Sequence, residues 1–488
     1  VLYNFGFSGA RMAVSALGSF LISVIIARSL GTQNMGSYSF FVWVAGTIAS
    51  LSSLGLPDAI SKYVAEHRGL GEDTLAAQVA RHILSAQIIV SVFATLIGAI
   101  VWSLLEHHQI GSIVLAISTV LPSALQQTLF AMMEGEQRFD LQVLAALAGT
   151  VIQIAVVSIF ALLLPSIQGF LFANLISSVF LLGIAYFTSR FMMESASSNE
   201  EAAYPHLKRL LNFSLSVYAL WLLNLIVFDK SEMLFLRILK SPQQLAYYSI
   251  AFALTARLGT AADSISYVLF PMFVTRLAQK GNAALNLSYS RSIGYVQVVM
   301  VPLCLWGISL FPRLIVFAYG KQYSGIVAVI QILLAAMMFS VTLNVSSCVA
   351  LALERQRSIL HYMIFVAALN VILDLLLIPR YGALGAALAN GVSQATAAIS
   401  ITFSLQRVLP ASFPIQMSLK IYLAALLSVV PILYADLIVK ANILFLLLSG
   451  VLASMTYIAL LGRLRVMSKQ ETDALKASIA ALKFRKPG

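Results

Sequence analysis

The chain has 488 residues, of which 60% are hydrophobic and only 10% charged, and its formal net charge is +12. A mean hydropathy of +0.91, with a charged fraction well below the roughly 25% of soluble domains, excludes an ordinary water-soluble enzyme. The two cysteines, Cys304 and Cys348, both sit in apolar surroundings, which leaves no basis for a disulfide scaffold or a cysteine metal site.

The expected fold is all-α and polytopic. Apolar runs of about 20 residues, enough to cross a hydrocarbon core, recur about fourteen times. The first four cover 5–27, 38–60, 82–105 and 110–133, and no cleavable signal is expected because the first is too long for one and runs on into further spans. Between the second and third, 61–81 is too polar to cross and reads as a short surface helix or a linker. The fifth and sixth, 141–164 and 167–188, meet at Leu164-Pro165-Ser166 almost without a loop, and the seventh, 208–230, is polar for a span. The rest are read at 245–275, 291–311, 324–350, 359–378, 383–406, 415–438 and 441–462. A twelve-span count would need two of the marginal ones to be buried or re-entrant.

These spans group into an N-terminal lobe, 1–207, a C-terminal lobe, 208–406, an additional pair, 407–462, and a basic tail, 463–488. The tail reads as an interfacial helix or a disordered basic end. With the N-terminus inside, most of the 31 Lys and Arg residues fall on cytoplasmic loops and the tail, among them Lys62, Arg68, Arg138, Arg407 and Lys420. That is the positive-inside pattern, and it places both termini in the cytoplasm of a plasma (inner) membrane. Juxtamembrane cations touching anionic lipid heads account for the net charge. No basic, aromatic-bearing soluble domain exists, so nucleic acid is not an expected partner.

The seventh span opens a second half that echoes the first. ARSLGTQNMGSYSF (27–40) and LRILKSPQQLAYYSI (236–250) pair Arg28 with Arg237, Leu30 with Leu239, Tyr38 with Tyr248 and Ser39 with Ser249, allowing one inserted residue. Both copies leave a span on the outer side and enter the next, as expected for a parallel repeat whose halves alternate access around a central site. Charges in or at the ends of spans (Arg11, Asp58, Asp229, Arg257, Asp263 and Asp374) point the same way, because a charge in lipid is costly and marks a pathway.

The block ARSLGTQNMGSYSF, the following LSSLGLPDAISKYVAE and the later DLLLIPRYGALGAALANGVSQ (374–394) together resemble the polysaccharide-export family. That family belongs to the multidrug/oligosaccharidyl-lipid/polysaccharide flippase superfamily. The resemblance implies a V-shaped, two-lobed bundle with a central cavity. It also implies that the chain moves polyprenyl-diphosphate-linked oligosaccharide, undecaprenyl-linked for example, from the inner to the outer leaflet for surface polysaccharide synthesis. Partners would be that lipid, the surrounding membrane lipids and polysaccharide polymerase machinery. Fourteen spans fit the lipid II flippase branch of cell-wall synthesis, while the N-terminal blocks fit the exporters. A cation-coupled multidrug exporter on the same scaffold is the other transport reading.

Arg11, seven residues into span one, and Arg257, about twelve into span eight, are the residues expected to bind the diphosphate head group, which Arg matches with a charged fork of donors. Arg11 resembles a basic residue of the first helix in the lipid II branch, and Arg257 a basic cavity residue of its eighth. The bland alternatives are snorkelling of Arg11 to the headgroups and a structural pairing of Arg257 with a carboxylate such as Asp263, although six residues separate those two. Asp58, Asp263, Asn212, Tyr218 and Asn224 are candidates for cavity or gate. For Asp58, an i,i+4 pair with Lys62 is the plainer reading.

Topology alone gathers Asp229, Asn370, Asp374 and Asn390 in the outer third of the second half. Their oxygens form a hard ligand set suited to a small alkali cation or a proton. The set resembles the sodium site of the lipid II branch, except that Asn390 stands where a hydroxyl residue is usual. Separate polar packing, with Asp229 held by Lys230 or Arg237, is the alternative. No other cofactor or metal is expected. The chain lacks G-x-x-x-x-G-K-[S/T], a nucleophile elbow and H-E-x-x-H, so it is not expected to be an enzyme. A membrane-embedded glycosyltransferase or polymerase is the remaining, weaker class.

Overall fold

The computed structural model describes residues 2–105, 109–194, 207–228, 231–353, 355–409, 413–438 and 443–466. Among these residues the backbone is helical almost throughout, with no strand. The helices are α1 (Leu2–Leu51), α2 (Leu56–Leu70), α3 (Asp73–Leu105), α4 (Ile110–Ile117), α5 (Val120–Gly135), α6 (Phe139–Leu163), α7 (Ile167–Glu194) and α8 (Leu207–Phe228). Then follow α9 (Glu232–Leu239), α10 (Pro242–Tyr319), α11 (Ile326–Ala352), α12 (Gln356–Tyr381), α13 (Ala383–Gln406), α14 (Ile415–Ser428), α15 (Val430–Ile438) and α16 (Ile443–Arg463).

Two helices each cover two of the spans expected from sequence. The chain continues through α1 with a sharp bend at Gly31 (φ 70°, ψ 175°), and through α10 with one at Gly281 (φ 68°, ψ −168°). Only a residue without Cβ enters that backbone region readily, so both bends fall on glycine. The fourth span breaks between α4 and α5, and the thirteenth between α14 and α15. By length and apolarity, nine stretches among the described residues can cross a membrane; the sequence reading divides the same apolar chain more finely. Large apolar side chains such as Leu162, Phe187, Ile238 and Ile458 stand on the outside, where a soluble protein would place polar ones.

The second span ends earlier than the sequence indicates. Helix α1 stops at Leu51, and a turn through Leu54 and Gly55, both left-handed, leads into α2. Pro57 starts α2, and Gly71, also left-handed, ends it by donating to Arg68 and His67 carbonyls. Leu56, Ala59, Ile60, Tyr63, Val64 and His67 are buried at helical spacing. Segment 61–81 is therefore neither linker nor loose surface helix. Its first part packs a full apolar face, and from Asp73 it is already α3.

The chain divides into two compact units. The first comprises Val1–Ile250, Ala318–Tyr323 and Asp374–Ala386. Its core joins Ile60, Tyr63, Val79, Ile83, Met132 and Leu210. The second comprises Ala251–Phe317, Ser324–Leu373 and Ala387–Gly488. Its main core joins Phe273, Tyr289, Met300, Val345 and Leu405, with a second cluster around Ile421 and Tyr457. The 207/208 lobe boundary read from sequence does not coincide with this division, since α8 and α9 belong to the first unit.

Candidate functional site

Within the first unit, the bend of α1 is where several distant segments meet. Arg28 Nε donates to the Ala318 carbonyl at 2.6 Å, and the Tyr323 hydroxyl to the Ala27 carbonyl at 2.7 Å. The Ser23 and Tyr319 hydroxyls lie 2.6 Å apart, with Phe20 edge-on to the Tyr319 ring. Tyr247 OH donates to the Gln322 carbonyl at 3.0 Å, and Gln244 Oε1 accepts from the Ala383 N–H at 2.9 Å. Gly36 approaches the start of α10 so closely that a Cβ there would lie 1.7 Å from the Pro242 carbonyl oxygen.

The two repeat copies, 27–40 and 236–250, thus abut at Gly36 and Pro242. Arg237 lies with its guanidinium carbon 5.3 Å from the centre of the Phe40 ring.

Beside it is an acidic cluster. Asp374 is 0% exposed, Glu232 1% and Tyr248 0%. The Glu232 and Asp374 carboxyl groups are close enough to be electrostatically coupled, and Tyr248 neighbours Glu232. Among the described residues neither Asp374 carboxylate oxygen has a hydrogen-bond partner. A buried polar atom left so is costly, and this one lies near a second buried carboxyl group. Glu232 was missed by sequence reasoning. The polar run Asp229-Lys230-Ser231-Glu232 looks like a span's end, yet the helix resumes at Glu232 and runs to Leu239. The signal that could have found it is the apolar Met233-Leu234-Phe235-Leu236 directly after.

Asp229 lies outside the described residues. Asn370 and Asn390, 0% and 1% exposed, both lie in the second unit. Asn370 Nδ2 donates to Ser393 Oγ at 3.3 Å, and Asn390 Oδ1 accepts from Gln394 Nε2 at 2.5 Å. Their amides are thus engaged with α13 side chains. Asp374 and Asn370 do share α12, one turn apart.

The other candidates separate. Arg11 lies on α1, Asp263 on α10 and Asn224 on α8, but their side chains are outside the described set. Arg257 is exposed on α10. Asp58 is not at the end of a span; it stands in the first turn of α2, where an acid complements the helix dipole. Desolvation by the surrounding helices raises its pKa, a backbone hydrogen bond lowers it, and the Glu134 carboxylate raises it again, for a net increase. Its expected pair with Lys62 does not form. Lys62 Nζ lies 3.8 Å from the centre of the Phe213 ring instead, a cation–π contact between α2 and α8.

The polar stripe of span seven is split as well. Tyr218 donates to the Leu51 carbonyl at 2.8 Å, and Ser214 to the Leu54 carbonyl, so both satisfy backbone left open where α1 ends. Asn212 is exposed. Arg209 pairs with Glu66 at 2.9 Å and receives the Tyr63 hydroxyl on its carbonyl at 3.2 Å, completing the α2–α8 contact.

Residues 25–328, which include both repeat copies and the Gly-Leu-Pro turn, match the family model described as polysaccharide biosynthesis protein. The chain belongs to that family. The resemblance read from the N-terminal blocks is therefore upheld, while the 374–394 block falls beyond the matched residues.

One curated relative, the membrane protein MJ1068 of Methanocaldococcus jannaschii, is 24% identical over 235 residues, 48% of this chain and 46% of that one. The alignment thus spans about half the length of the relative. Among solved structures, the lipid II flippase MurJ in an inward closed conformation superposes with a TM-score of 0.70 at 16% identity, covering 94% of this chain and 98% of that one. A multidrug resistance MATE family transporter of the MOP superfamily, inward-facing, gives 0.64 at 15% identity, over 82% and 97%. The fold is that of these membrane transporters, and this family member is a multi-pass, all-α membrane protein.

Proposed function

We propose that the chain is a flippase that carries a polyprenyl-diphosphate-linked oligosaccharide from the inner to the outer leaflet by alternating access, without covalent chemistry. The observation that carries this is the family match over 25–328, because it ties the chain to polysaccharide biosynthesis. The likeness in fold to a lipid II flippase over 94% of the chain supports the same reading. Arg11 and Arg257 are the proposed contacts to the diphosphate. The interlock of Ser23, Ala27 and Arg28 with Ala318, Tyr319 and Tyr323 is the proposed outer closure, which must part for release.

Coupling is assigned to the acidic cluster. Two carboxylates in one dry site repel unless a cation or proton sits between them. Glu232 and Asp374, with the Tyr248 hydroxyl, therefore replace the set drawn from topology alone as the proposed site for sodium or a proton. Filling that site beside the outer closure would bias which side opens.

The test is leaflet transfer of a fluorescent polyprenyl-diphosphate oligosaccharide in proteoliposomes. Loss of transfer in Arg11→Ala and Arg257→Ala, with folded protein in both, supports the reading. No transfer by folded wild type across several lipid-linked oligosaccharides overturns it and moves the assignment to a cation-coupled multidrug exporter; the second structural neighbour is named a multidrug resistance MATE family transporter.

A further inference from the structure

The second unit holds a groove lined by none of the residues assigned above to transport. It is a cavity of about 450 Å³ between the second arm of α10, α11, α13 and α14. That volume lies in the range of pockets that hold a drug-sized ligand. Its walls include Phe339, Ile399, Phe403 and Leu419, which are between 46% and 65% exposed. In a membrane protein such a wall is open to acyl chains.

Part of its polar floor is already paired. Ser418 Oγ donates to Gln297 Oε1 at 2.7 Å, and Thr402 lies 3.5 Å from Ser346, which in turn meets the Tyr289 hydroxyl at 2.7 Å. The groove therefore asks for an apolar occupant along its length.

Its rim asks for a negative charge. Arg407 packs its guanidinium carbon 5.1 Å from the centre of the Phe403 ring, directly on a wall of the groove. On α14, Lys420 directly follows the wall residue Leu419 without itself lining the groove. Both cations are exposed, and neither is in an ion pair among the described residues. Among the described residues no acidic side chain lines the groove. By the charge bias, both also lie on the cytoplasmic face, where anionic headgroups gather.

We propose that this groove binds an anionic phospholipid of the cytoplasmic leaflet, with an acyl chain along Phe403 and Leu419 and the phosphate between Arg407 and Lys420. The inference is independent of what the chain transports. An apolar chain alone would suit any lipid, and the two cations make the site selective for a negative head.

The test is native mass spectrometry of the full-length protein titrated with phosphatidylglycerol and with phosphatidylcholine of identical acyl chains. The wild type is expected to hold phosphatidylglycerol about tenfold more tightly, the scale of one to two surface cations near a headgroup. Arg407→Gln with Lys420→Gln should bring the two lipids to parity without weakening phosphatidylcholine. Leu419→Trp, filling the groove from its exposed wall, should weaken both. Equal binding of the two lipids by the wild type overturns the proposal, as does an unchanged preference in the double variant. Displacement of phosphatidylglycerol by a lower concentration of undecaprenyl phosphate, dependent on Arg407, overturns the phospholipid assignment. Arg407 and Lys420 are exposed, so their variants should fold, and they decide the matter if Leu419→Trp does not.

Discussion

Removing the hydroxyls of Tyr319 and Tyr323 together should loosen the outer closure of the first unit without disturbing its packing. Tyr323→Phe deletes the 2.7 Å bond to the Ala27 carbonyl, and Tyr319→Phe the 2.6 Å bond to Ser23, while both rings remain, edge-on to each other at 5.8 Å. A protein hydrogen bond contributes about 0.5–1.5 kcal/mol net, so the pair is worth about 1–3 kcal/mol. If those bonds exist only in the closed state, its opening equilibrium shifts by roughly 5- to 150-fold. Ile26, 3% exposed and next to Ala27, is the reporter. Ile26→Cys, with Cys304 and Cys348 replaced by Ala, should react slowly with a membrane-impermeant maleimide added outside. In the double Phe variant the rate should rise by the same factor, because labelling tracks the open population when closing is fast. A labelling rate equal to the parent's, in protein with an unchanged size-exclusion profile, would refute the claim that these hydroxyls hold the outer side shut.

Asp374→Asn and Glu232→Gln should each leave transfer insensitive to sodium and proton gradients, whereas wild-type transfer responds to one of them. Gradient dependence that survives both would remove the cluster from coupling. Gly36→Val must displace the Pro242 carbonyl and should lower yield and thermal stability sharply; Gly46→Ala, where a Cβ meets nothing within 4 Å, should leave the melting curve unchanged. Tyr63→Ala, at a fully buried ring, should cost about 3–5 kcal/mol, while Arg209→Gln, which breaks a largely exposed pair with Glu66, should cost less than about 1 kcal/mol. Thermal unfolding in detergent ranks the two, and comparable losses would contradict the burial argument.

The apolar periodicity that makes a span is strong wherever no polar residue interrupts it. Spans read at 324–350 and 383–406 appear as Ile326–Ala352 and Ala383–Gln406, and the Pro379-Arg380-Tyr381-Gly382 turn falls where its glycine, at φ 59°, lets the chain reverse. Hydropathy fails where the membrane interior is itself polar. It ended the seventh span at Lys230 because four polar residues in a row look like a loop, and so it lost Glu232. It placed Asp58 at the end of a span because Leu51 to Pro57 carries no charge, and no window average registers the Leu54-Gly55 turn. Asn370 and Asn390 were legible as buried polar residues, but their hydrogen bonds to α13 side chains depend on helix rotation, which sequence alone leaves open.

The first unit is assembled from three pieces of chain, the last of them Asp374–Ala386. The Ala27 carbonyl meets a hydroxyl that is translated 296 residues later. At cellular elongation rates of about 5–20 residues per second, that interval is on the order of 15–60 s. For that time the earliest helices stand in the bilayer with the mouth of their unit unsealed, shielded only by lipid or by the insertion machinery. A nascent chain interrupted before Asp374 would therefore leave the Gln244 side chain without the Ala383 N–H from which it otherwise accepts. The part of the molecule begun first is thus sealed only once most of the chain has been made.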